Sequence, residues 1–445
     1  MRDLLLLAFI AAGLLATIRY PFAGLLLWAW FTLATPHQAA YLAGSLPLNL
    51  VIAAVTMLAL LVHGEFGRVR MTALSWMILA FTFWLGVSQV FSLWPENSAG
   101  PADRLLKIMV FVFLCSITVT SRLRFHALLW TFALVMGFHG AKGGAFTLAT
   151  LGQGRYEGIP NTILFDNNHM GIALAASLPI FTYLAQQSRE RLVRWGIWLV
   201  TGLTVIGIVG THSRGALLSL VALAGWTWLK SDRKLLGAAL GAAAILAALP
   251  VLPEDWTSRM ETIAEAGEDA SFQGRVDAWV INAKLAQEHP FTGAGLRNSY
   301  EGQISRQVSM RTPRAAHSIY FEVLGGMGFV GLGLYLVMLG YGVLAARRAE
   351  RTYAHEPGGR WRARFGRQAQ ASLVVFGVGG ASVSMEMWEG YLLVIALVSA
   401  LTRIDLQAST SDGGYEVERV RRRGARAQGR RPVLAQRTRG LEGTA

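Results

Sequence analysis

Apolar residues run along this chain in blocks of roughly 15–22 positions, broken by short polar loops, and that is the length a helix needs to cross a bilayer. Lipid satisfies no backbone N–H or C=O group, so blocks of this kind are helices. They are expected at Leu4–Ile18, Phe22–Ala34, Leu48–Val62, Thr72–Leu93, Leu105–Thr120, Ala127–Gly140, Met170–Ala185, Gly196–Gly210, Ala216–Leu229, Leu235–Leu252, Ile319–Ala345, Ala371–Met385 and Tyr391–Leu401. The fold class is all-α: a polytopic inner-membrane protein with 12–13 transmembrane helices and a large structured periplasmic loop between the tenth and eleventh spans.

Basic residues fall on alternate loops, as expected when Lys and Arg resist translocation. Arg68 and Arg70, Arg122 and Arg124, Arg189 to Arg194, Lys230 to Lys234, and Arg347 to Arg367 share one side, the cytoplasm. The tail from Leu406 adds nine arginines against four acids and reads as a disordered, lipid-headgroup-contacting cytoplasmic segment. Thirteen spans place the N-terminus outside; twelve place it inside. Four regions follow: helices of 1–194 with a periplasmic loop at 141–169, a core of 195–345 holding the periplasmic loop 253–316, C-terminal helices of 346–405, and the tail 406–445. Within the long loop, Gly274–His289 has near-helical apolar spacing and reads as an amphipathic helix on the outer membrane surface.

Composition agrees: 53% of residues are hydrophobic, 15% are charged, and the mean hydropathy is +0.40. Soluble chains carry about 25% charged residues. The formal charge of +14, from 41 basic and 27 acidic residues, comes from cytoplasmic loops and does not indicate nucleic acid. Cys115 stands alone, which rules out an internal disulfide and a cysteine metal site. The first apolar block lacks a small-residue cleavage signal and is expected to be retained.

Cations on the outer side have escaped the topological bias and are candidates for chemistry. The first group is Thr211-His212-Ser213-Arg214-Gly215. Arg214 is either an interfacial arginine snorkelling to headgroups or a phosphate clamp, work that suits a planar fork able to hold two oxygens. The second is Gly274-Arg275 with Trp279, followed by His289-Pro290-Phe291-Thr292-Gly293-Ala294-Gly295. Its glycines permit close backbone approach, and Arg275 is expected at a helix N-terminus, where an anion is favoured. The alternative is a surface helix ending in a Pro-Gly turn. The third runs from Arg311 through Arg314 to His317-Ser318-Ile319-Tyr320. His317 is either structural or a general base kept neutral by the arginines upstream. His37, His63, His126 and His355 are scattered, and no metal site and no cofactor is expected.

Together these segments resemble the O-antigen ligase and polymerase superfamily of bacterial envelope glycosyltransferases. The resemblance rests on Ser213-Arg214-Gly215, on Gly274-Arg275 with Trp279, on His289 to Gly295, and on His317-Ser318-Ile319-Tyr320 followed by Gly328 and Gly331, in that order. Ser318 stands where many relatives carry Asn. Lys142 to Phe146, Asp166-Asn167-Asn168-His169 and Tyr20-Pro21-Phe22 look like the exosortase-associated O-glycosylation ligase branch. The resemblance implies transfer of a glycan from undecaprenyl diphosphate to an acceptor hydroxyl, on lipid A–core or on protein, at the periplasmic face. It implies His317 as catalytic base and Arg214, Arg275, Arg311, Arg314 and Lys142 around the diphosphate, without metal and with inversion. Arg155, Asn167, His169 and Tyr320 are candidate substrate contacts. A polymerase would use the same motifs. A lipid-linked glycan transporter is the alternative from another class.

Overall fold

The computed structural model describes residues 2–40, 44, 46–66, 70–232, 234–235 and 270–404. The expected span at 236–252, the stretch 253–269 with Arg259, and the tail 406–445 lie outside the described residues. Among the described residues every regular element is helical and no strand occurs.

The first half holds α1 (Arg2–Arg19), α2 (Pro21–Ala34), α3 (Leu48–Val62), α4 (Ala73–Val90), α5 (Pro95–Thr118), α6 (Arg122–Ala149), α7 (Asn167–Gln187), α8 (Arg191–Val209) and α9 (Arg214–Leu229). The second holds α10 (Ala270–Glu288), α11 (Gly302–Val308), α12 (Ile319–Tyr353), α13 (Arg360–Gly380) and α14 (Glu389–Leu401). The starts follow capping chemistry. Side chains of Thr72, Ser121, Asp166 and Ser213 accept from backbone N–H groups two or three residues on, opening α4, α6, α7 and α9. Proline at the first position opens α2 and α5.

Among the described residues, α4, α8 and α12 are long and apolar enough to cross a membrane; α2, α3, α9 and α14 are shorter apolar helices. Phe83, Trp195, Leu199 and Phe138 are exposed on the outside of the bundle, the position of lipid-facing side chains. In contrast, α7 is buried on nearly every side, packed among α6, α8, α9 and α13, as its all-round apolarity requires.

Several helices reach beyond the blocks that hydropathy outlines. α5 starts at Pro95 rather than Leu105, and α13 at Arg360 rather than Ala371. α6 continues to Ala149, so the first part of the expected 141–169 loop, Lys142 included, is helix. In two of these extensions polar turns find partners: Lys107 pairs with Asp103 at 2.5 Å, Arg367 with Glu350 at 2.7 Å, and Arg362 donates to the carbonyl of Ile404. A charged helical turn that pairs this way needs no lipid, and the apolar pattern stops before it.

Helix ends gather at two faces. At the basic face Arg124 forks onto Glu65 at 2.7 and 2.8 Å, Lys230 approaches Glu350 at 3.4 Å, and Arg403 donates to Ile117 O at 2.8 Å. The opposite face collects the ends of α4, α6, α8 and α13 and the starts of α5, α7, α9, α12 and α14. All non-glycine residues with left-handed backbone among the described residues lie there: Thr35, Leu151, Asn161, His212, Arg297 and His317. Such strain is costly and concentrates at functional sites.

At that face α12 is broken. Gly328, at φ 69° and ψ −174°, takes a conformation that interrupts the helix. The segment after α10 fills the break: Ala294 N donates to Gly325 O at 2.8 Å, Gly295 N to Gly326 O at 3.0 Å, and Phe329 N to Pro290 O at 2.8 Å. Ser88 Oγ reaches Gly326 O at 2.9 Å and Trp84 Nε1 reaches Met327 O at 3.1 Å. A Cβ on Gly293 would lie 2.6 Å from backbone atoms of Gly326, Met327 and Gly328. The glycine pair expected to let backbone approach a ligand instead lets it approach another backbone, because interrupted helical carbonyls must find donors.

Candidate functional site

The first wall is the α8–α9 turn. Ser213 Oγ accepts from Ala216 N at 3.1 Å and donates to Asn168 Oδ1 at 2.7 Å, tying the start of α9 to the start of α7. Asn167 Nδ2 donates to Thr211 O at 2.7 Å, His212 Nε2 lies 3.0 Å from Gly152 O, and Tyr156 N donates to Gly210 O at 2.8 Å. These bonds dock the 150–166 segment onto the turn that presents Arg214. Two capped helix N-termini therefore meet there; that of α9, capped by the neutral Ser213 hydroxyl, adds positive potential toward an anion, whereas the Asp166 carboxylate offsets that of α7.

The second wall is α10. It begins at Ala270, so Arg275 stands inside the helix rather than at its N-terminus, and the anion site expected from the helix end does not apply. The apolar face of α10 is turned to protein. Ala278, Ile281, Asn282, Leu285 and Ala286 are buried, and the helix packs on α12. Trp279 stacks on Phe321, ring centroids 5.3 Å apart, while its Nε1 donates to Ala316 O at 2.8 Å. Apolar spacing was legible, but the covering surface is protein.

Between the walls stands His317. Ala316, its neighbour, is held by both backbone groups: the carbonyl by Trp279 and the N–H by Glu322 Oε1 at 2.9 Å. His317 itself takes φ 45°, and its Nδ1 is buried with no hydrogen-bond partner. Burial first, then the Arg275 guanidinium and His169, hold the imidazole below its ordinary pKa, with Asp166 opposing them. The ring is thus neutral at physiological pH, but the cations responsible differ from expectation. Arg275 acts on it, not Arg311 or Arg314.

Residues 197–336 match the family described as O-Antigen ligase. Those residues form an O-antigen ligase domain. Residues 1–189 match a family of unknown function, DUF5935, and no curated protein matches the chain. That domain supports a membrane glycosyltransferase of the O-antigen ligase type, a family that implies a lipid-linked glycan donor and an acceptor in the membrane.

Within the O-antigen ligase domain, the structure brings His317 and Arg275 together with His169 and Asp166 from the preceding region. His169 Nδ1 donates to Ile163 O at 2.6 Å, leaving Nε2 buried without a partner. The Ser213–Asn168 bond holds the start of α9, where Arg214 is the first residue, against the start of α7 that carries His169. Other expected site residues have other engagements. Arg311 is exposed and paired with Asp277; Arg314 is exposed and lies over Gly274. Arg155 pairs with Glu157 at 3.0 Å on the surface. Asn167 is committed to Thr211 O, and the Tyr320 hydroxyl donates to Gly377 O at 2.5 Å. Lys142, exposed on α6, lines a separate cavity with Tyr156 and Pro160.

Sequence reasoning missed the acids behind His317. Glu322 Oε1 accepts from Tyr300 Oη at 2.6 Å, Ser384 Oγ at 2.7 Å and Ala316 N. Burial and the neighbouring Glu322 and Glu386 carboxylates keep the Tyr300 phenol protonated, as a donor must be. Glu386 is 2% exposed; Arg297 approaches it at 3.6 Å, and neither carboxylate oxygen has a hydrogen bond. The available signal was simple: an ionisable residue within or beside an apolar span is a functional candidate by default, and Glu322 and Glu386 both qualify.

Proposed function

We propose that this protein transfers a glycan from undecaprenyl diphosphate to an acceptor hydroxyl at the periplasmic face of the bacterial inner membrane. The observation that carries the reading is the neutral, strained His317, with a buried and unpartnered ring nitrogen, beside Arg275 and next to the α7 and α9 N-termini. Arg275 and Arg214 hold the diphosphate. Preorganised positive charge in a partly dry site stabilises a leaving group that needs charge neutralisation rather than a proton. His317 takes the proton of the acceptor hydroxyl as its oxygen bonds to the anomeric carbon, with inversion. The anomeric C–O bond breaks, the diphosphate departs with the electron pair, and the proton passes from His317 to solvent. Arginines take the part that a divalent ion plays elsewhere, and the outer loops carry no DxD pair. Glu322, through Ala316 N, positions the segment that presents His317. The likeness of 142–146 and 166–169 to the exosortase-associated branch favours a protein hydroxyl as acceptor over lipid A–core.

The test uses full-length protein reconstituted in vesicles without divalent metal, supplied with undecaprenyl diphosphate carrying one labelled repeat unit, with and without candidate acceptors. Transfer to an acceptor, lost in His317→Ala, is the expected result. A ladder of lengthening lipid-linked glycan without acceptor identifies a polymerase instead. Label that stays on its own lipid but changes leaflet identifies a transporter.

A further inference from the structure

A second polar pocket opens at the same face, away from the arginine cluster. It has a volume of about 250 Å³ and lies between the end of α2 with its following turn, the first half of α5, the start of α14 and residues 161–162. Sites for drug-sized ligands measure roughly 300–1,000 Å³, so this one suits a single ring.

Its chemistry is mixed. Trp28 and Phe111, ring centroids 5.4 Å apart, provide an apolar side. Three polar atoms of its lining, Thr35 Oγ1, His37 Nδ1 and Asn49 Oδ1, are buried with no hydrogen-bond partner. A buried polar atom without a partner is costly, and three in one small space call for a ligand that bonds to them. Thr35 also holds left-handed backbone at φ 42°. Burial keeps the His37 ring neutral, able to donate from one nitrogen and accept at the other. Formal charge cancels: Lys107 pairs with Asp103 at 2.5 Å, and Arg104 faces the buried Glu389. A diphosphate needs surplus positive charge, whereas a neutral polyhydroxylated ring needs spaced donors and acceptors beside an apolar face.

The pocket is joined to the His317 cluster by one tight turn. Asn161 and Thr162 line it, and Ile163, the next residue, takes the His169 Nδ1 contact. The turn is closed by Thr162 Oγ1 on Ile159 O at 2.7 Å, Leu164 N on Thr162 Oγ1 at 3.2 Å, and Gly158 N on Phe165 O at 3.0 Å. We propose that this pocket is a second saccharide subsite that takes one neutral sugar ring of a glycan the enzyme handles. The source of that ring, donor or acceptor, rests on the transfer reading above; the pocket's ligand chemistry does not.

The experiment labels full-length protein in lipid nanodiscs with a diazirine-bearing neutral methyl hexoside and maps the adducts by mass spectrometry. Adducts are expected on 28–38, 103–111 and 161–162, protected by excess unlabelled methyl hexoside and not by inorganic pyrophosphate. Asn49→Leu combined with His37→Phe, which keeps the ring stacked on Phe31, removes two hydrogen-bonding groups and should lower labelling about tenfold, the equivalent of about 1.4 kcal/mol. An unchanged melting profile of that variant shows that folding is intact. Adducts elsewhere, protection by pyrophosphate, or unchanged labelling in the double variant overturns the proposal. In the transfer assay the double variant should raise KM about tenfold for either acceptor or donor, and the affected substrate names the source. A fall in kcat with both KM values unchanged overturns the subsite. His317→Ala protein should label normally, so failure of the transfer reading and failure of the pocket are told apart.

Discussion

Two neighbouring parts of the site face carry similar motif vocabulary, and they use it oppositely. Around Gly293, Gly295 and Gly328 every conspicuous backbone group has a protein partner: α12 breaks, and the segment after α10 completes the break. Around His317, groups are left without a hydrogen bond, namely Nδ1 of His317, Nε2 of His169 and both oxygens of Glu386, which has only its ion pair with Arg297 at 3.6 Å. Satisfied groups report architecture, because their energy is already used in holding the fold. Buried groups without partners report a task, because the fold tolerates their cost for some other reason. The two regions should therefore separate under mutation into one that alters chemistry and one that alters folding.

The sharpest break would come from His317→Ala, which should lower transfer roughly 10²- to 10⁴-fold, the usual contribution of general base help, while membrane insertion and melting stay as in wild type. Transfer within about twofold of wild type would refute the assignment. Arg275→Gln follows, with a loss of roughly 10²- to 10³-fold, as for removal of one charge-stabilising group. It also carries a signature that a structural role would lack. Transfer requires neutral His317, so the rate holds above that residue's pKa and falls as the pH drops through it. Burial and Arg275 hold this pKa below the usual value of about 6.5, so the acid limb of kcat/KM lies below pH ~6.5 in wild type. Without the guanidinium the limb should move to higher pH; an unmoved limb would show that Arg275 does not act on His317.

On the other side of the comparison stands Gly328→Ala. Its backbone lies where only glycine is comfortable, and a Cβ there would sit 2.3 Å from Phe291 O. The variant should lose about 1–3 kcal/mol of stability, read as a lower melting temperature, and should lose activity only in proportion to unfolded protein. Melting unchanged with activity abolished would place Gly328 in the chemistry and erase the distinction. Tyr300→Phe tests the link between the regions. It removes one of three donors to Glu322 and should lower kcat a few-fold with KM unchanged, since Tyr300 touches the support of Ala316 rather than substrate. A change confined to KM would contradict that role.

How much of this was legible beforehand follows from where each signal resides. Helices were legible because lipid imposes a length and a composition on every block, and the order of Ser213-Arg214-Gly215, Arg275 and His317 was legible because it is linear. Helix extents were not, since Arg362 and Asp103 look like loop residues until their partners, the Ile404 carbonyl and Lys107, are in view. Partners were not legible either. Gly293 announces a close approach, but nothing local says that the approaching atoms belong to Gly326 and Gly328. Glu322 and Tyr300, separated along the chain, meet only because α12 and the residues before α11 fold together.

The smallest expected effect concerns cations that sequence placed in the site. Arg311 is exposed and paired with Asp277, and Arg155 is exposed and paired with Glu157 at 3.0 Å. Exposed ion pairs contribute about 0–1 kcal/mol, and water already screens any field they project. Arg311→Ala and Arg155→Ala should each change kcat/KM for donor less than about threefold, with melting unaltered. Raising the salt concentration should affect both variants and wild type alike, because neither guanidinium is desolvated. A hundredfold loss on removing Arg311 would mean that the segment before His317 closes over the diphosphate when donor binds, carrying Arg311 from Asp277 to phosphate, and the cluster of His317, Arg275 and Arg214 would then be only part of the charge that the reaction uses.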